Sequence, residues 1–381
     1  WSFEVLQAMG LGSQRILDSA VDASMVTPGV NLSLSRSFVN TISGRYRSGP
    51  LGQGWALNWD SHLTNGADGA VTIAYGGDAT ARYVRDSRAP GRYFSPAGDT
   101  SLLTMLTSGE FDLRSAGGTV THYLSTGILQ YVRDPNGNQI TAGYTTGRLT
   151  SLTHSSGQSL SIFYNAAGHF DHVTDSAGRI TTYGYDPTDQ YLTSVTEADG
   201  KQTHYTYQTT GPAPKLHALL SIEAGGTTQF FTYDSRGRLD TSYLTDNTEL
   251  IDYGYNDTGE VTINDGSGTA TLFFDQRGLL VKTRDALGNL TSAQLDDKAR
   301  LVKLIAPTGE FQSFKWNANG SLTGFTDELN QTTTFAYNDP HNRLTSFTDA
   351  KGNITGYKYD GAGNLLTTIY PNNSVEAFGS Y

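Results

Sequence analysis

Aromatic and apolar residues recur at alternate positions over short runs along most of this chain. Tyr183 and Tyr185, Tyr205 and Tyr207, Tyr253 and Tyr255, Phe314 and Trp316, and Tyr357 and Tyr359 are each two residues apart. A period of two places both members of a pair on one face of a β-strand. Between the runs, from Asp134 onward, an Asp-x-x-Gly element returns about every ten or eleven residues, which leaves strands of about five or six residues. The pattern predicts an all-β chain of tandem hairpins.

The turn elements fall into two interleaved series with a period of about 21 residues. One places its fourth position at Gly278, Ala299, Gly320, Asn342 and Gly363, the other at Gly288, Gly309, Asn330 and Gly352. The same beat appears earlier at Gly137, Gly157, Gly178 and Gly200, interleaved with Gly147 and Gly168. Asp at the first position accepts hydrogen bonds from the backbone that follows, and Gly at the fourth supplies a positive φ. This is the three-residue hairpin loop that closes with a bulge. Asn is the next-best occupant, whereas Ala299 is a misfit that predicts strain or a different turn. Across such a turn Tyr233 should face Leu239, as Tyr255 should face Val261, Tyr337 Leu344 and Tyr359 Leu365. An aromatic set against an aliphatic residue is a favourable cross-strand pair. Successive hairpins pairing edge to edge give a curved antiparallel ribbon or partial hollow shell, each unit stabilised by its neighbours. A β-propeller is the rival architecture, with two repeats per blade, but no blade signature alternates with the rhythm.

Residues 1–130 do not follow the beat, and the expected division is an amino-terminal β-rich cap module over 1–130 and a repeat array over 131–381. Residues 30–38 alternate cleanly as a strand, and further strand-like runs lie at 71–75, 80–85, 119–124 and 128–132. Gly49-Pro50-Leu51-Gly52-Gln53-Gly54-Trp55 is a glycine-rich turn feeding a strand that carries Trp55 and Trp59. It is expected to cap the open end of the ribbon, because any linear sheet exposes an edge strand. Residues 3–17 could form a short helix, which Gly10 and Gly12 weaken.

Composition agrees with strands and turns: the 381 residues include 43 Gly and 22 Tyr, and only 17% are charged. A net charge of -11 argues against a nucleic-acid surface, which needs clustered Lys and Arg. The absence of cysteine removes disulfides, thiolate metal sites and thiol nucleophiles. No apolar run approaches the roughly 20 residues of a membrane span. The chain starts at Trp1 and stops at Tyr381 after a strand-like stretch, and so reads as a piece of a longer protein.

Tyr-Asp-x-x-Gly-Arg/Asn-Leu at 233–239 and 359–365, with Asp-Ala-x-Gly-Asn at 285–289 and 349–353, resembles the YD/Rhs repeats. The Gly-Pro-Leu-Gly-Gln-Gly-Trp segment at 49–55 is similar to the module that precedes such repeats in bacterial Rhs and wall-associated polymorphic-toxin proteins. The resemblance implies a strand ribbon that spirals into a hollow shell, as in insecticidal toxin-complex components, Rhs effectors and teneurins. It also implies a secreted or cell-surface scaffold whose partner is a carboxy-terminal toxin or effector segment of the same longer protein. No carboxy-terminal core with a self-cleavage site is matched, so neither autoproteolysis nor a particular cargo is carried over.

Candidate chemistry is sparse, and the expectation is a protein that is not an enzyme and has no catalytic, cofactor or metal residue. His154, His169, His172, His204 and His217 lack metal-ligand spacing. Asp234, Asp285, Asp349 and Asp360 are explained by turns. Asp134-Pro135-Asn136-Gly137-Asn138 looks like part of a calcium loop but lacks its remaining acidic positions. The tyrosine-rich face is read as packing or shell lining. The alternative is an adhesive surface for carbohydrate or a cell-surface protein. A polysaccharide-active enzyme would need two converging acids that repetition does not single out.

Overall fold

The computed structural model describes residues 16–378 except 88, 97, 98, 100, 116, 319, 339–342 and 361–364. Most of the helix expected over 3–17 lies outside the described residues, as do the turn positions Asn342 and Gly363. Ile16 and Leu17 open a strand, Ile16–Met25.

The chain divides into two compact units. Residues up to Phe94 join Leu102–Leu279 in the first, and Ser95–Ser101 join Leu280–Tyr381 in the second. In the first unit, every strand from Leu102–Met105 to Thr269–Phe274 pairs antiparallel with the next in sequence. In the second, the strands from Leu280–Arg284 to Val375–Ala377 do the same. Consecutive pairing therefore already operates at Leu102, upstream of the first Asp-x-x-Gly turn.

The turns have the expected chemistry. At Asp234 the backbone N–H donates to the carbonyl of Arg238 (3.0 Å), and that of Gly237 donates back to the carbonyl of Asp234 (3.0 Å). One carboxylate oxygen of Asp234 accepts from the backbone N–H groups of Arg236 and Arg238, both at 2.9 Å. A bulge follows, and Tyr233 faces Leu239. Tyr255 faces Val261 and Tyr359 faces Leu365 as expected. The ladder before the last of these ends at Ala336 opposite Ser346, one residue short of Tyr337 and two short of Leu344.

Ala299 makes the same turn as its glycine counterparts. Its N–H donates to the carbonyl of Asp296 (3.1 Å), and its φ is +59°. The hairpin imposes its geometry on an L-residue, and the misfit appears as left-handed backbone instead of another turn type.

The amino-terminal segment builds a three-stranded sheet from Ile16–Met25, Leu32–Val39 and Trp55–Leu57. A four-stranded sheet follows, from His62–Asn65 to Tyr93–Phe94. Leu32, Leu34 and Phe38 alternate inward and are fully buried. They join Ile140, Leu152, Leu160, Val173, Tyr183 and Tyr205 of the array in one core.

This arrangement corrects the expectation for residues 49–55, which do not sit at the edge of the array. Gly52 bridges to Tyr191, the N–H of Gln53 donates to the carbonyl of Gln190 (2.9 Å), and the carbonyl of Pro50 accepts from Phe170 (2.8 Å). The cause is backbone proximity. A Cβ on Gly52 would lie 2.6 Å from the Gln190 carbonyl oxygen, and its φ is +85°, so only glycine permits this approach. The edge strand Leu102–Met105 is met instead by Gly91 and Arg92, through a bridge from Arg92 to Thr104 and a hydrogen bond from the Met105 N–H to the Gly91 carbonyl (2.7 Å).

Candidate functional site

Three residue types of the repeat act together to join several hairpins to the one before them. An aromatic near the end of the strand before the turn sends its polar tip back about fifteen residues, to the carbonyl of a leucine at or near the start of an earlier strand. Tyr144 donates to Leu129 (2.8 Å), Tyr164 to Leu149 (2.8 Å), Tyr207 to Leu192 (2.7 Å), Tyr233 to Leu219 (2.7 Å) and Tyr255 to Leu239 (2.8 Å). In the second unit Tyr359 donates to Leu344 (2.8 Å), and Trp316 substitutes its indole N–H toward Leu301 (2.7 Å). A tyrosine can be buried here because its hydroxyl finds an acceptor that sheet pairing leaves available.

The arginine after the turn glycine completes the joint. Arg238 donates to the Asp234 carboxylate (2.8 Å) and lies 4.3 Å from the ring centroid of Tyr255. Arg300 repeats this with Asp296 (2.7 Å) and Trp316 (5.9 Å), and also donates to the carbonyl of Asn317 (2.8 Å). Arg148 over Tyr164 and Arg343 over Tyr359 follow the pattern. Stacking and hydrogen bonding thus act on the same ring.

Over the array of the first unit, the amino-terminal segment is fastened by two buried arginines. Arg36 forms an ion pair with Asp22 and donates to the Tyr205 hydroxyl (2.7 Å), which itself donates to Asp18 (2.9 Å). Tyr183 donates to Asp22 (2.8 Å), and the Trp55 indole donates to Tyr207 (2.8 Å). Arg45 reaches the carbonyls of Asn40 (2.8 Å) and Gly237 (2.6 Å) and lies over the ring of Tyr233 (4.7 Å). Burial lowers the pKa of Arg45, and the facing hydroxyls of Tyr233, Tyr255 and Tyr46 oppose that shift. A cavity of about 310 Å³ lies under the same segment, lined by Val30, Trp59, Tyr75, Leu113, Tyr123 and Leu129. Sequence reasoning missed Arg36 and Arg45. The signal at Arg36 was a charge at an inward position of the alternation Leu32, Leu34, Arg36, Phe38.

The sequence candidates fall where turns and packing put them. Asp285 and Asp349 sit in their turns, their carboxyls held below the usual range by the side-chain amides of Asn289 and Asn353 and then by backbone N–H groups. Both carboxylate oxygens of Asp134 accept from Asn138, and one also accepts from the Asn136 N–H. His172 stacks on Phe163, His169 on Tyr185 and His217 on Tyr191. Among the described residues no three His, Asp or Glu side chains converge as a metal-binding group. Also among them, no helix is long and apolar enough to cross a membrane. Tyr183, Tyr205, Tyr207 and Tyr233 are buried under or beside the amino-terminal segment, so they offer no open platform for a sugar ring.

A family model described as RHS Repeat matches residues 316–346 and 339–375, and one described as Domain of unknown function (DUF6531) matches residues 15–83. No curated protein matches the chain. Among solved structures, the Tc holotoxin pore of Photorhabdus luminescens aligns over 95% of this chain and 22% of its own, at 12% identity and a TM-score of 0.48. A TcdB2-TccC3 crystal structure aligns over 95% of this chain and 23% of its own, at 12% identity and a TM-score of 0.45. The chain therefore spans less than a quarter of these relatives.

Proposed function

Because the chain is a YD/Rhs repeat protein, we propose that it is a non-catalytic scaffold, part of a secreted or cell-surface shell that encloses another segment of the same longer polypeptide. Residues 1–130 hold the module that fastens the early hairpins, with its strands from Leu102 onward already paired into the wall, and 131–381 carry the repeat array of that wall. The observation that carries this reading is the recurring joint. The tyrosine hydroxyl, the turn aspartate and the arginine, which are the chemically capable groups of the repeat, are engaged in tying hairpin to hairpin. Repeat arrays gain stability from such nearest-neighbour contacts. In this reading the enclosed partner is a toxin or effector segment of the same longer polypeptide.

Limited proteolysis of the complete gene product tests the proposal. An enclosed segment stays intact while the wall is intact, and it is digested once the wall is opened by denaturant below global unfolding. Digestion at the same rate with and without the wall rules enclosure out.

A further inference from the structure

The segment Tyr46–Gly54 meets the array at a hairpin where the usual joint is not made. Tyr185 stands in the tyrosine position, and His169 stands after the turn glycine, where Arg148 and Arg238 stand in other repeats. The His169 ring stacks on Tyr185 with centroids 5.1 Å apart and planes 26° apart. The Tyr185 hydroxyl and His169 Nδ1 are both buried without a hydrogen-bond partner among the described residues. The next residue, Phe170, gives its backbone N–H to Pro50 (2.8 Å). His217 Nδ1 lies 2.7 Å from the hydroxyl of Tyr191, the residue bridged to Gly52. The His217 ring also meets Tyr46 edge-on at 4.7 Å. His169 therefore directly precedes a residue that holds the loop, and His217 contacts both Tyr191, bridged to Gly52, and Tyr46 of the segment itself.

We propose that His169 and His217 form an acid-sensitive latch: neutral, they let the Tyr46–Gly54 segment stay seated on the array, and protonated, they release it. Burial is the main influence on each and disfavours the charged ring. At His169 the carboxylates of Asp189 and Asp186 oppose this and Arg148 reinforces it. At His217 Arg45 reinforces it, and the Tyr46 and Tyr191 side chains face the ring. Both rings thus bind protons less readily in the folded chain than a free imidazole does. Stability of the seated state is full above the ordinary histidine value of about 6.5 and falls as pH drops below it.

The chain has no cysteine, so a single thiol is a unique reporter. Leu51→Cys places one in the buried loop, and Val261→Cys places one at a fully buried array position. Labelling of the full chain by 4,4′-dithiodipyridine is measured from pH 7.5 to 5.0 and normalised to a free thiol at each pH. The latch predicts a rise of about tenfold at position 51, no rise at position 261, and a flat profile at position 51 once His169→Gln and His217→Gln are added. If Leu51→Cys does not fold, Gln53→Cys gives the same readout. No rise at the loop, a parallel rise at position 261, or a rise that survives removal of both histidines overturns the proposal.

Discussion

The hydroxyl of Tyr255 donates to the carbonyl of Leu239 at 2.8 Å, while the guanidinium beside Leu239, that of Arg238, lies over the Tyr255 ring. Sequence neighbours in one hairpin therefore hold the same side chain of the next hairpin by its tip and by its face. Tyr255→Phe removes the tip contact and leaves a largely buried carbonyl lone pair unpartnered. The expected loss is about 1–2 kcal/mol, read as a lower denaturant midpoint with an unchanged slope.

Ala299 gives a prediction of the opposite sign. Its left-handed backbone costs roughly 1–2 kcal/mol, of which glycine recovers most while losing some unfolded-state entropy. Ala299→Gly should stabilise the second unit by about 0.5–1 kcal/mol in chemical denaturation. A neutral or negative result would mean that the turn is not strained.

Arg36 and Asp22 are both almost fully buried. Arg36→Met leaves the Asp22 charge without its partner and should cost about 3–5 kcal/mol, with adding Asp22→Asn restoring part of the loss. Thermal unfolding of the two variants side by side reads this out. Equal losses in single and double variants would show that Arg36 acts by packing alone.

Alkaline pH should unfold the array through its tyrosines. Burial pushes Tyr144 and Tyr164 up to about 12, and holds Tyr207, Tyr233 and Tyr255 higher still. In the unfolded chain these groups ionise near 10, so the folded state holds more protons above that value. Their contribution is complete below about pH 10 and is lost as pH rises toward and beyond 12. Tyrosinate absorbance from these residues should appear together with loss of circular dichroism. Ionisation near pH 10 with the fold intact would contradict their burial.

Much of this was legible in the sequence, for identifiable reasons. Turn position, strand length and facing follow from backbone chemistry within a few residues, so Asp234 and Gly237 predicted the Tyr233–Leu239 pair correctly. What the sequence left open is set over long separations. The approach of Gly52 to Gln190, the Arg36–Tyr205 contact and the Arg45–Gly237 contact join residues that no local period relates. The expectation that residues 49–55 cover an edge rested on the general need of linear sheets. It missed that a glycine-rich loop can also enter between hairpins. The arginine after the turn glycine was visible as a repeated letter, but its ring partner lies about one repeat away.

The repeated residues couple neighbouring hairpins, and a double-mutant cycle between Arg238 and Tyr255 measures that coupling. Denaturation of Arg238→Ala, Tyr255→Ala and the double variant should give a coupling energy of at least about 0.5 kcal/mol, with reduced amide protection in both Leu239–Leu244 and Thr248–Tyr255. Additive losses, with protection falling only in the strand that carries each substitution, would contradict it.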